Sequence, residues 1–295
     1  LHNTIPANLT KTWKYSCSLG TVPLECAYIY TRGQSPSEAC PEALRVKWEG
    51  VVTKLKAFLV AFGEAKLSLY DNCFYDLVPD RFLLEFCDLK NQISNYVFEN
   101  CERPKNYDFL YDLHRMTEEL KYQKLNIDKH ALDDKLVNYK TRVFLKKLSN
   151  MDPFISYNMF GTVTGRLTTT PKSFPVLTLD KDHRDILVPN NDWFIELDFN
   201  AAELRTLLAL AGRVQPTGDI HDWNVKNVYG GSLTREEAKK KVFAWLYNPK
   251  SKDRRLNEAY DRSAVVQKYF NGSQVSTFFD RRIPADDHHA LNYVI

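Results

Sequence analysis

Arg235, Lys239, Phe243 and Tyr247 recur at strict intervals of four residues. On an α-helix that spacing stacks side chains along one face, drifting about 40° per step. The stripe would hold two cations and then two aromatics, on the order of 18 Å long at ~1.5 Å rise per residue. Guanidinium and ammonium groups suit phosphates, and flat apolar rings suit a sugar and a base. A nucleoside triphosphate carries both chemistries in one molecule. An ordinary basic surface helix above two core aromatics has the same spacing, so the stripe alone does not decide.

Three further clusters could do chemistry. Asp198 closes the apolar run Trp193-Phe194-Ile195-Glu196-Leu197. A carboxylate at a strand end, beside irregular backbone, suits Mg²⁺; capping the next helix is the alternative use. Asp219-Ile220-His221 precedes a Gly230-Gly231 turn, and His221 could donate to a phosphate or serve structure alone. Thr164-Gly165-Arg166-Leu167-Thr168-Thr169-Thr170 combines one cation with several hydroxyls, which suits a nucleic-acid backbone and equally a β-hairpin.

These side chains need elements to hold them. Residues 41–64 place Leu44, Trp48, Val51, Val52, Leu55, Phe58 and Leu59 at helical period, with Val46 off that face. Phe82, Leu83, Phe86, Leu89, Ile93 and Val97 form a second such face, residues 110–120 a further run, and Pro104 separates the two. Asp128 or Asn126 stands where a cap for a third helix, 130–148, belongs. After Met151 the pattern changes, with β-branched residues and glycine over 162–170. Residues 192–199 predict a buried strand, and 201–212 a helix ended by Gly212. Two helical stretches within 219–246 flank the glycine pair, with Ser232 or Thr234 as N-cap.

Composition sets looser bounds. A chain of 295 residues, 44% hydrophobic, is long enough for two or three lobes with cores of their own. A net charge of +3 neither demands nor excludes nucleic acid, so a nucleic-acid enzyme would have to concentrate positive charge locally. No run of about 18 apolar residues occurs, so no membrane partner is expected. Leu1-His2-Asn3-Thr4 lacks the basic start of a signal peptide and an initiator Met. Cys17, Cys26, Cys40, Cys73, Cys87 and Cys101 are widely and irregularly spaced, which predicts reduced thiols rather than a zinc site.

The order of the four clusters resembles the polymerase domain of family A (polymerase I type) DNA polymerases. Asp198-Phe199-Asn200-Ala201-Ala202-Glu203-Leu204-Arg205 is similar to motif A, usually D-Y-S-Q-I-E-L-R. The stripe is similar to motif B, R-x-x-x-K-x-x-x-F-x-x-x-Y-G, with Asn248 in place of the closing Gly. Thr164-Gly165-Arg166-Leu167 matches the T-G-R-L before motif A, and Asp219-Ile220-His221 the D-I-H between the motifs. Asp287-His288-His289-Ala290-Leu291-Asn292 resembles the E-R-A-x-x-N helix, with His288 replacing an Arg that would contact DNA. The resemblance covers about residues 80–295.

It implies template-directed DNA synthesis, with nucleotidyl transfer from a deoxynucleoside triphosphate to a primer end by a two-metal mechanism. Asp198 would bind both Mg²⁺ ions with the backbone carbonyl of Phe199. Arg235 and His221 would hold the outer phosphates, and Lys239 the α-phosphate, where it could protonate pyrophosphate. Phe243 would pack on sugar and base, Tyr247 would close the site, and Glu203 would crowd a 2′-hydroxyl. Thr164, Arg166 and Asn292 would contact primer–template DNA. Motif C, H-D-E, does not occur in this sequence. Its carboxylate is therefore expected from a longer chain or from a separate C-terminal fragment, and this chain alone should be inactive or nearly so.

The implied fold class is α/β (α+β), a right-hand polymerase fold with helical thumb, partial palm sheet and helical fingers. Residues 1–75 are an N-terminal segment, either of no recognisable role or an exonuclease-domain remnant. Residues 76–150 form the thumb, 151–213 the palm, 214–284 the fingers, and 285–295 start the return to the palm. The overall motif style suggests a phage origin, and with it the host cytoplasm. A single-subunit RNA polymerase relative is the nearest alternative enzyme, but Glu203 and Phe243 fit it poorly. A non-catalytic primer–template binding module is the other alternative.

Overall fold

The computed structural model describes residues 18–19, 22–69, 72–248 and 250–295. It is helix-rich with three small two-stranded antiparallel sheets, an α+β arrangement. The chain divides into two compact units, Leu1–Asn191 and Asp192–Ile295. No described helix is long and apolar enough to cross a membrane.

In the first unit, α1 (Glu42–Glu64) packs against α2 (Asp80–Asn100). Trp48, Val51 and Phe62 meet Phe74, Phe82, Leu83, Leu89 and Ile93 in one apolar cluster. The expected faces of both helices are the buried ones, and Val46 stands 82% exposed. Leu59 departs from that pattern, at 42% exposure. Helix α3 (Tyr107–Lys121) follows Pro104 and shares a second cluster with Ile29 and Met159. The Tyr107 hydroxyl accepts from the Cys26 amide at 2.8 Å. The five described cysteines are free thiols.

The single helix expected over 130–148 is two pieces. Asp128 caps a 3₁₀ segment, Lys129–Lys135, and Asn138 restarts the chain as α4 (Tyr139–Leu148) by accepting from the Lys140 amide at 2.9 Å. Arg142 donates to the carbonyls of Leu136 and Val137 at 2.8 and 2.9 Å, which satisfies the backbone groups of the break.

The T-G-R-L segment lies in a hairpin. Tyr157–Asn158 pairs with Thr168–Thr169, and Thr164 and Arg166 ride on the connection. Gly161 is required there: a Cβ would fall 1.9 Å from the Thr168 hydroxyl oxygen.

The second unit is helical around one core. It holds α5 (Ala202–Leu210), α6 (Ile220–Trp223), α7 (Arg235–Leu246), α8 (Arg254–Tyr260), α9 (Arg262–Tyr269) and α10 (Ala290–Val294). A hairpin, Gln274–Ser276 with Arg282–Pro284, precedes α10. Leu204, Leu207, Ile220, Val242, Trp245, Leu256 and Tyr260 are buried together. As expected, Gly212 ends α5: at φ 65° it lets the Arg213 amide donate back to the Leu208 carbonyl at 2.8 Å.

Residues 192–199 are not the buried strand expected from their sequence. They run as irregular chain with every residue exposed, Leu197 and Ile195 at 91% and 85%. A strand forms only where a neighbour takes up its amides and carbonyls, and no described segment pairs with this one.

Candidate functional site

The site grows from α7. Thr234 is its N-cap, and the cap is reciprocal. The Thr234 hydroxyl accepts from the Glu237 amide at 3.3 Å, while Glu237 accepts from the Thr234 amide at 2.9 Å. That capping box fixes where the first turn begins, and with it the position of Arg235. Thr234→Ala should cost about 1 kcal/mol of helix stability. Faster hydrogen exchange confined to the first turn of α7 would register it.

The four residues of the stripe lie in order along α7, with Tyr247 as its C-cap residue. Ala238, Val242, Trp245 and Leu246 face the core, which leaves the stripe on the outer side. Arg235 is exposed and Lys239 and Phe243 are half-buried. The Phe243 and Tyr247 rings stack, with centroids 6.0 Å apart and planes at 9°. Tyr247 donates to Glu203 of α5 at 3.1 Å, so the C-terminal end of the stripe is tied to α5.

The turn after α7 does not use a left-handed residue at Asn248. Asn248 instead accepts from the Lys250 amide at 3.0 Å, and Arg262 donates to the carbonyls of Trp245 and Asn248 at 2.6 and 3.0 Å. The buried Arg262 thus takes over the orphan carbonyls that a glycine cap would otherwise help to satisfy. This explains how α7 ends without a glycine at position 248.

Asp219 caps α6, accepting from the amides of His221 and Asp222 at 2.8 and 3.0 Å. Its other oxygen accepts from Arg235 at 2.7 Å and from the Asn200 side chain at 2.8 Å. The Arg235 guanidinium, helped by those amide donors, holds the Asp219 carboxyl well below the usual carboxylate range. Arg235 also reaches Glu236 at 3.0 Å and Asp222 at 3.8 Å.

His221 is only 4% exposed and lies against Phe243 with ring centroids 5.7 Å apart. Burial pushes its pKa down, Asp219 opposes that, and Arg235 and Lys239 reinforce it. The ring is therefore neutral near pH 7. Its Nδ1 is buried without a hydrogen-bond partner, which makes it a group that a ligand or water could satisfy.

No family model matches this chain, and no curated protein matches it.

The expected residues therefore fall into four sets. Glu203, His221, Arg235, Lys239, Phe243 and Tyr247 come together around α7. Asn292 lies apart from Arg235 and Lys239, lining a cavity of about 250 Å³ with Tyr247, Arg262, Asp287 and His288. Thr164 and Arg166 belong to the first unit. Asp198 and the Phe199 carbonyl sit on the exposed, irregular segment. Two oxygens from such a segment do not by themselves make a two-cation site. No group of three or more His, Cys, Asp or Glu side chains gathers to hold a metal among the described residues. The residues present therefore do not fit a bound metal pair unaided.

Sequence reasoning missed two residues, Asn200 and Arg205. Asn200 accepts from the Ile220 amide at 2.8 Å, and Arg205 donates to the carbonyls of Asn200, Pro216 and Gly218 at 2.8, 3.0 and 2.6 Å. Their signal was present: a short amide and a guanidinium beside a Gly/Pro-containing connection suit backbone satisfaction.

Proposed function

We propose that this chain is the nucleotide-binding half of a family A (polymerase I type) DNA polymerase, which acts in template-directed DNA synthesis. One observation carries the reading. Two cations and a stacked aromatic pair follow one another along α7, in the order phosphates, sugar and base would need, and a buried histidine of α6 with an unsatisfied nitrogen lies against that stripe.

Arg235 and His221 take the outer phosphates and Lys239 the α-phosphate. Phe243 provides the flat surface beneath sugar and base. The bond from Tyr247 to Glu203 holds both at the sugar end, where Glu203 crowds a 2′-hydroxyl. This is selection by a clash rather than by an added contact. Glu203→Ala should therefore narrow a preference for dATP over ATP by about tenfold, ~1.4 kcal/mol. Competition binding measures it, and an unchanged ratio would remove Glu203 from the gate.

The apolar segment 193–199 supports the need for a further segment, from a longer chain or a separate fragment. Read with a period of two, Ile195, Leu197 and Phe199 share one face, while Glu196 and Asp198 share the other. A strand of this kind needs a sheet neighbour and an apolar layer beneath it. A hairpin carrying the H-D-E carboxylate would supply the neighbour and bring a second acid beside Asp198. Two magnesium ions bound between such acids would neutralise the phosphates. Primer–template DNA and deoxynucleoside triphosphates are the partners this reading implies. The direct test is primer extension by this chain together with a polypeptide bearing that hairpin.

A further inference from the structure

The Asp219 carboxylate is saturated. Each oxygen accepts two hydrogen bonds: one oxygen takes the amides of His221 and Asp222, and the other takes Arg235 and Asn200. An ionised carboxylate has about four lone-pair sites, so none is left over. The four donors come from three separate pieces of chain. Asn200 belongs to the segment that bears Asp198, His221 to α6, and Arg235 to the first turn of α7. Asn200 closes the arrangement, because its own oxygen accepts from the Ile220 amide at 2.8 Å while its amide nitrogen donates to Asp219.

We propose that Asp219 is a positioning residue that locks Arg235 and the His221-bearing helix into one anion-binding frame and ties that frame to the Asp198 segment. This rests on the triphosphate reading of the stripe, and it adds a residue to which that reading assigns no task of its own.

Two effects of Asp219 on an incoming anion compete. Its negative charge offsets part of the attraction of Arg235. Its hold on the guanidinium, meanwhile, removes rotamer freedom that binding would otherwise have to remove. Arg235 and Asp219 are both solvent-facing, with side-chain exposures of 41% and 26%, so water and salt screen the offsetting charge. The geometric gain is not screened. Arg235 has five N–H donors, and Asp219 and Glu236 engage one nitrogen each, so donors remain for a phosphate. A carboxylate with all its sites filled also has no reason to leave when the anion arrives. Positioning therefore outweighs competition, and removing Asp219 should weaken anion binding rather than strengthen it.

The test measures binding of dATP and, separately, of inorganic tripolyphosphate to the full chain and to Asp219→Asn, Arg235→Ala and the double variant. Asp219→Asn should weaken both probes by about tenfold, a coupling of ordinary size for side chains in one network. The double variant should lose less than the product of the single losses. Nitrogen NMR supplies a readout that a purely architectural role would not move. The Arg235 guanidinium should be held and slow to rotate in the free wild-type protein, and fast in Asp219→Asn. Should that variant fail to fold, Asn200→Ala removes a single brace from the same carboxylate and should weaken tripolyphosphate in the same direction.

Unchanged or tighter tripolyphosphate binding in Asp219→Asn, with weakened binding in Arg235→Ala, would overturn the positioning role and leave the triphosphate reading standing. A freely rotating Arg235 in the wild-type protein would overturn it as well. Unchanged binding of both probes in Arg235→Ala would instead sink the triphosphate reading itself.

Discussion

Replacing Arg235 and Lys239 together by alanine should weaken dATP binding by at least about a hundredfold. Each residue presents a cation to the outer face of α7, and each would make charge-assisted hydrogen bonds to a phosphate. Such bonds contribute ~1.5–3 kcal/mol apiece, so losing two removes ~3–6 kcal/mol. At about 1.4 kcal/mol per tenfold, that is two to four orders of magnitude. The helix should survive, because its buried face is Ala238, Val242, Trp245 and Leu246 and its capping box is untouched. Phe243→Ala should behave differently. It removes the ring that would lie beneath the base, so it should weaken dATP and leave tripolyphosphate nearly unaffected. Isothermal titration of both probes separates the two ends of the stripe. Equal losses from both replacements would mean that the stripe is not read as phosphates at one end and base at the other.

Trp245→Ala should destabilise the second unit by ~3–5 kcal/mol, the range for deleting a large buried aromatic. Trp245 is 1% exposed and its indole N–H donates to Asn257 at 2.8 Å. Its ring lies 5.7 Å from that of Tyr260, and the Arg262 guanidinium sits 4.7 Å above it. The alanine variant would lose the apolar burial and open a cavity. It would also strand Asn257 and deprive Arg262, itself only 8% exposed, of its ring partner. A loss of that size is a large fraction of typical domain stability. Hydrogen exchange should show protection collapsing throughout residues 202–295, while α1 and α2 of the first unit keep theirs. Trp245→Phe should recover part of the loss but not the Asn257 bond. A change below about 1 kcal/mol for the alanine variant would contradict the packing described.

Much of the helical structure was legible because helical burial leaves a period that composition cannot hide. The faces of α1 and α2 were readable from Trp48, Val51, Phe82, Leu89 and Ile93, since each has a large apolar partner in the same unit. The order of α7 was readable because Thr234 and Glu237 form a local capping box. The break at Leu136–Asn138 was not readable. Its cause is that Asn138 caps better than it propagates, and that Arg142 reaches back to the freed carbonyls. The strand at 192–199 was misread for a different reason. Apolar alternation states what a segment will do when a neighbour pairs with it, and pairing is a property of two segments. Arg235, Lys239, Phe243 and Tyr247 were legible as a group by spacing, and His221 only through the Asp219-Ile220-His221 cluster. Asp219 as their common brace was not, because a hydrogen-bonded carboxylate between three pieces of chain has no period at all.

As the nucleotide end of a DNA-synthesising site, this chain should need a second carboxylate. Primer extension tests it most directly, using Mg²⁺, deoxynucleoside triphosphates and a primer–template. The chain would be assayed alone and with a C-terminal polymerase I type fragment carrying H-D-E. Extension only in the mixture, lost with Asp198→Ala, is the predicted result. Salt-dependent DNA binding with no extension in either assay would contradict it, and so would extension by the mixture that Asp198→Ala leaves intact.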